Sequence, residues 1–204
     1  MACKVGVLVS GRGSNLKSII KEAKASKINA EVKVVISDKE DAKALDIASK
    51  EGIEAYYISP ENTKPILIGE AEDNYINMLK KYDIDLVCLA GFMRIVNKKI
   101  INEFKWRMMN IHPSLLPSFK GLNAQKQALD YGVRFAGATV HFVTGQVDGG
   151  PIILQAVVPI YQDDTEDSLS ERILKEEHRI YPRAIDLFAR NKIIVKNNKV
   201  FIGE

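Results

Sequence analysis

Over its first ninety residues the chain alternates between short apolar, β-branched runs and segments of helical period, and this alternation limits the possible folds more than any other feature. Lys4–Val9, Glu31–Ser37, Ile53–Ile58 and Ile84–Ala90 read as strands. Between them, Ser14–Ala25, Ala42–Glu51 and Ile68–Lys81 read as helices, the first with Leu16, Ile19, Ile20 and Ala23 on one face. Gly52 supplies a stop for the second helix. Strands separated by helices of this length imply βαβ units and a mostly parallel sheet. Strands that are apolar throughout agree, because a parallel sheet is covered on both faces.

The second half changes character. Lys98–Phe104 reads as a short helix, Arg107–His112 as a strand stopped by Pro113, and Asn123–Tyr131 as a helix. Ala138–Thr144 and Ile152–Pro159 are β-rich and predict an antiparallel pair joined through Gln146–Pro151. A long helix begins near Thr165, with Glu166 and Asp167 in the first turn, where the helix dipole favours acids. Pro182 is expected to kink or interrupt it. Ile193–Lys196 and Val200–Ile202, separated by Asn197-Asn198, predict a terminal hairpin. The fold class expected is α/β: a single domain over residues 1–204, its mostly parallel twisted sheet flanked by helices, with an antiparallel C-terminal portion.

A chain of 204 residues buries about 70% of its unfolded surface and needs no staples. A composition 46% hydrophobic and 27% charged excludes a mainly disordered chain. The formal charge of +3 suits small anionic ligands and falls short of a nucleic-acid-binding surface. Cys3 and Cys88 make no disulfide framework, which fits a reducing, cytoplasmic location. Val5–Val9 is too short for a signal sequence, and no run approaches the ~18 apolar residues of a membrane helix.

Four constellations bear on chemistry. Ser10-Gly11-Arg12-Gly13-Ser14-Asn15-Leu16 joins the first strand to the first helix, where free N–H groups and the positive dipole end suit phosphate. The alternative is a tight turn with Ser14 or Asn15 as a helix cap. Asn110 and His112 alternate along one strand, so both project to one face. An amide donor beside an imidazole can stabilise an oxyanion and move a proton; the bland alternative is a histidine closing a loop. Asp148, at the head of Asp148-Gly149-Gly150-Pro151, either orients His112 or forms an Asp-Gly turn. His141 is either a partner behind these groups or a packed strand histidine. Glu177 falls on the apolar face marked by Leu169, Ile173, Ile180 and Ala184, so it needs a fold cation or a substrate amine. The three histidines lack close ligand spacing, so no metal is expected.

A competing reading takes Gly11 and Gly13 with Asp38, at the end of the second strand, as parts of a dinucleotide site in an NAD-binding oxidoreductase domain. The third glycine position is Leu16, and this reading leaves Asn110, His112 and Asp148 without a shared purpose.

The residues also carry a resemblance. The Ser10–Leu16 loop, Leu89-Ala90-Gly91-Phe92-Met93-Arg94, Asn110-Ile111-His112-Pro113-Ser114-Leu115-Leu116-Pro117, His141-Phe142-Val143, Asp148-Gly149-Gly150-Pro151 and Glu177-His178-x-Ile180-Tyr181-Pro182 occur here in one order. From Val5 to about Pro182 the chain strongly resembles the phosphoribosylglycinamide formyltransferase (glycinamide ribonucleotide transformylase) family, among the folate-dependent formyltransferases. The resemblance implies a Rossmann-like formyltransferase fold and formyl transfer from 10-formyltetrahydrofolate to the primary amine of 5-phosphoribosylglycinamide, in purine biosynthesis. It implies Asn110, His112 and Asp148 as the catalytic trio. Gly13, Ser14, Asn15 and Glu177 would hold phosphoribosylglycinamide. Leu89, Phe92, Met93, Arg94, Ile95, Val96 and Val143 would hold the folate. The expected partners are these small molecules, with no nucleic acid and no membrane, for a monomer or homodimer. Two features depart from the family: Asn123 stands where a histidine is often found, and only Lys64 suggests itself for the folate glutamate tail. A methionyl-tRNA formyltransferase would need a further C-terminal domain and a formyltetrahydrofolate hydrolase a further N-terminal one, and the chain length is expected to leave room for neither.

Overall fold

The computed structural model describes residues 1–60 and 65–203, so Lys64 lies outside the described residues. The chain forms two compact units, Met1–Met109 and Asn110–Glu204. In the first, β1 (Cys3–Val9), β2 (Ala30–Ser37), β3 (Glu54–Tyr57) and β4 (Leu86–Leu89) alternate with α1 (Ser14–Lys24), α2 (Lys43–Lys50) and α3 (Glu70–Lys81), followed by α4 (Lys98–Glu103). The strands run parallel in the order β3-β2-β1-β4. Val7, Leu8, Val34, Val35, Leu86 and Val87 are fully buried. Leu16 and Ile19 of α1, and Tyr75 and Leu79 of α3, are equally inaccessible. Burying each such aliphatic side chain is worth about 1.5–3 kcal/mol, which is why the apolar runs settle as central strands.

β5 (Met108–His112) leads into the second unit, which contains α5 (Ala124–Tyr131), β6 (Phe135–Phe142), β7 (Ile152–Pro159), α6 (Glu166–Ala189), β8 (Ile193–Lys196) and β9 (Lys199–Ile202). β6 and β7 pair antiparallel from Phe135↔Pro159 to His141↔Ile152, with a register shift between Val140 and His141. β6 begins earlier and ends earlier than its β-branched residues suggest. Pairing with β7 recruits Phe135–Gly137 into the ladder, and the last rung is the Phe142 N–H donating to the Pro151 carbonyl. β8 and β9 form the terminal hairpin, with Asn197 and Asn198 both in the left-handed conformation its two-residue turn requires. The fold is α/β, a mostly parallel sheet flanked by helices with an antiparallel portion toward the C-terminus. Among the described residues no helix is long and apolar enough to cross a membrane.

Pro182 does not interrupt α6, which runs unbroken from Glu166 to Ala189. Ile173, Ile180, Tyr181, Ala184 and Ile185, on both sides of the proline, are all nearly or fully buried. Their burial outweighs the hydrogen bond that the proline removes. The helix starts firmly. Thr165 accepts from the Ser168 N–H in a reciprocal capping box. Arg172 then reaches back from the second turn: its guanidinium makes two 2.7 Å hydrogen bonds to Asp164, donates to the Pro159 carbonyl at 2.9 Å and lies 4.5 Å from the Tyr161 ring.

Arg172 holds the Asp164 carboxyl well below the ordinary carboxylate range. A lowered carboxyl pKa contributes stability that is present at neutral pH and lost as pH falls through the lowered value. Arg172→Ala is therefore expected to cost about 1–3 kcal/mol at pH 7. Urea unfolding over a pH series should show the gap to wild type closing only in strong acid.

Candidate active site

In the first unit, β1 passes through Ser10–Arg12 into α1. Gly13 is the N-cap, with φ 76°. A Cβ there would stand 2.9 Å from the Cα and Cβ of Ala44, so both the backbone conformation and the approach of α2 require glycine. No side chain caps α1 by a hydrogen bond and its first turn carries no acid, so neither Ser14 nor Asn15 plays the capping role. Those features leave the positive helix end suited to an anion. Asn15 is buried and Ser14 half-buried.

Asp38, the acid of the dinucleotide reading, is engaged within the fold. Its Oδ1 accepts from the Ser10 hydroxyl at 2.5 Å and its Oδ2 from Arg94 Nε at 2.8 Å. With both oxygens committed and the side chain 2% exposed, it is not presented to a ribose. The Leu89–Val96 segment splits by exposure. Leu89, Phe92 and Val96 are buried, and Phe92 packs against Tyr75 at 5.8 Å, whereas Met93 and Ile95 project outward.

In the second unit, β5 supplies Asn110 and His112, β6 supplies His141, and the loop after β6 supplies Asp148. Asp148 adopts φ 47°. The four side chains form a connected chain. Asn110 Nδ2 lies 3.2 Å from His141 Nε2. His141 Nε2 lies 3.6 Å from one Asp148 oxygen, and His112 Nδ1 lies 3.5 Å from the other. The Gly121 N–H donates to Asp148 Oδ2 at 2.8 Å. Burial pushes the Asp148 carboxyl up, but the His141 ring, the Gly121 N–H and the His112 ring outweigh it and hold the group below its ordinary range.

The acceptors settle the proton positions. A carbonyl oxygen only accepts, so His112 Nε2, 2.9 Å from the Phe119 oxygen, carries a proton. His141 Nδ1, 2.9 Å from the Phe142 oxygen, does so too. His141 Nε2 lies between the Asn110 amide at 3.2 Å and an Asp148 oxygen at 3.6 Å. Both nitrogens of His112 face oxygens, Nε2 the Phe119 carbonyl and Nδ1 the Asp148 carboxylate.

His141, read from the sequence as either a background partner or a packed histidine, stands between Asn110 and Asp148. The Phe119 carbonyl and the Gly121 N–H had no signal in the sequence, because backbone groups of any residue type serve. Gly150 packs tightly against the end of β6: a Cβ there would fall 1.8 Å from the Phe142 oxygen. Val143 is half-buried, and Glu177 is buried on α6. Asn123, in the left-handed conformation, is the N-cap of α5. A cavity of about 400 Å³ lined by Pro113, Leu115, Phe119, Tyr131 and Phe135 includes none of the trio. Among the described residues, no group of three or more His, Cys, Asp and Glu is placed to hold a metal ion.

The family model for formyl transferase matches residues 3–185. Phosphoribosylglycinamide formyltransferase of Escherichia coli (strain K12) is 40% identical over 203 residues, covering 96% of this chain and 92% of that protein. Human trifunctional purine biosynthetic protein adenosine-3 is 43% identical over 195 residues, or 96% of this chain, which spans only 19% of that longer protein. The crystal structure of glycinamide ribonucleotide transformylase 1 from Symbiobacterium toebii is similar with a TM-score of 0.95 and 46% identity, covering 100% of this chain and 95% of that one. The chain therefore belongs to the formyl transferase family, among the phosphoribosylglycinamide formyltransferases.

Proposed function

We propose that the chain, acting as one formyltransferase domain over residues 1–204, transfers the formyl group of 10-formyltetrahydrofolate to the primary amine of 5-phosphoribosylglycinamide in the cytoplasm. The observation that carries this reading is the connected Asn110–His141–Asp148–His112 chain, whose donors suit a developing oxyanion. The substrate amine attacks the formyl carbon and negative charge gathers on the formyl oxygen. Asn110 donates to that oxygen through its amide. His112 does so by turning one N–H from its internal acceptor. Asp148 stabilises the His112 cation. As the new C–N bond forms, the bond from the formyl carbon to N10 breaks, and the proton lost by the amine is gained by N10 through water. No covalent enzyme intermediate is needed.

Gly13, Ser14 and Asn15 hold the substrate phosphate, supported by the uncapped start of α1. Glu177 serves the glycinamide portion. Met93 and Ile95 offer exposed apolar side chains to the folate, with Leu89, Phe92, Arg94, Val96 and Val143 completing its surroundings. The partners are these small molecules; neither nucleic acid nor membrane is involved, and the protein works as a monomer or homodimer.

Consumption of 10-formyltetrahydrofolate, followed by absorbance, should depend on added phosphoribosylglycinamide; equal loss without it would indicate a hydrolase. His112→Ala is expected to lower kcat by about 10²–10³-fold while the unfolding transition persists. Near-normal turnover in that variant would remove His112 from the mechanism. Because the two groups act as one unit, Asp148→Asn combined with His112→Ala should cost about as much as the worse single variant. Independent, multiplying losses would break the proposed coupling.

A further inference from the structure

We propose that Asp38 is a positioning residue of the folate site, fixing Met93 and Arg94 in their binding conformation through Ser10 and the Arg94 side chain. The proposal rests on the reading that residues 93–96 line that site. Asp38 is 2% exposed at its side chain and Arg94 17%, so this is a largely buried pair. One carboxylate oxygen accepts from Arg94 Nε at 2.8 Å. The other accepts from the Ser10 hydroxyl, and Ser10 Oγ in turn accepts the Met93 N–H at 2.8 Å. A carboxylate only accepts, so it points the Ser10 proton toward itself and leaves the oxygen lone pairs for Met93. Ser10 also donates its own N–H to the Gly91 carbonyl at 3.1 Å.

One carboxylate thus holds the backbone of residue 93 and the side chain of residue 94. The next residue is held separately: the Ile95 N–H donates to Pro65 and its carbonyl accepts from Leu67, at 2.8 and 2.9 Å. With these anchors set, Met93 and Ile95 are 56% and 41% exposed, while Val96 turns inward. The phosphate loop has its own supports, because the Gly11 carbonyl accepts from Ala44 and the Gly13 carbonyl from Lys17. Loss of the carboxylate should therefore weaken cosubstrate binding and spare the acceptor. Asparagine at position 38 keeps the shape. Its NH2 group can donate to Ser10 and turn the hydroxyl away, and it removes the negative charge 2.8 Å from Arg94 Nε.

Steady-state kinetics with both substrates varied tests this. Asp38→Asn should raise KM for 10-formyltetrahydrofolate about tenfold or more, while kcat and the KM for phosphoribosylglycinamide stay within about twofold. Ser10→Ala, which removes only the relay to Met93, should raise the same constant to a lesser degree. Ile95→Glu puts a charge on the exposed wall without touching the clamp and should raise folate KM as well. An unchanged folate KM in Asp38→Asn overturns the proposal, as does equal damage to all three constants. Should Asp38→Asn not fold, Ser10→Ala decides, and an unchanged folate KM there overturns it. If Ile95→Glu raises folate KM and Asp38→Asn does not, the clamp alone fails. If Ile95→Glu leaves it unchanged, the assignment of residues 93–96 to the folate fails.

Discussion

Asp148 is 9% exposed at its side chain and lies 3.5 Å from one imidazole and 3.6 Å from another. A carboxylate with so little access to water is costly unless hydrogen-bonded and paired. Here the Gly121 N–H supplies a permanent donor, and the two histidines supply charge only when protonated. The site therefore sets an oxygen acceptor at each nitrogen of His112, Asp148 at Nδ1 and the Phe119 carbonyl at Nε2. The proximity depends in turn on strand register. β6 stays paired with β7 as far as His141↔Ile152, the residue skipped at the shift after Val140 being Ile153 of β7, and the alternation along β6 fixes the face on which His141 lies. A slip of one residue would send it to the opposite face.

The first unit was legible in the sequence because its central strands β1 and β4 are mostly apolar and buried and its helices periodic, while the edge strand β3 (Glu54–Tyr57) was marked only by its place in the alternation. Long-range pairing then needs no further code: parallel strands buried on both faces select themselves by composition. Legibility falls where pairing decides the state of weakly committed residues. Phe135–Gly137 joined β6 only because β7 stood opposite, and Val143 and Thr144 left it despite their β-branched side chains. Pro182 shows the same override, since a buried face on either side carried α6 through a residue that breaks exposed helices.

The candidate site divides along similar lines. That Asn110 and His112 share a face was readable from strand alternation, and the structure brings Asp148 beside His112. The backbone oxygen of Phe119 and the N–H of Gly121 were not readable, because every residue type offers them. His141 fell between these cases: the residue was visible, but its role depends on which neighbour each ring nitrogen meets. Asp38 misled for a related reason. An acid at the end of the second strand fits a ribose-binding role by position alone, and only the placement of Ser10 and Arg94 shows its oxygens already committed.

Asp38 and Asp148 make the general point about buried carboxylates in this chain. Both are shielded from water, and both hold a neighbour's orientation, yet their partners differ in kind. Asp38 faces a guanidinium, which keeps its charge at all working pH values, so the pair is a static brace. Asp148 faces imidazoles, whose charge is conditional, so its pairings strengthen when a proton arrives and weaken when it leaves. A brace suits a segment that must present one fixed surface to a cosubstrate. Conditional pairing would suit the donor role proposed for His112, which is needed as the formyl oxygen becomes negative. The same side chain serves both tasks because the charge partner, more than the acid, sets whether the contact is permanent.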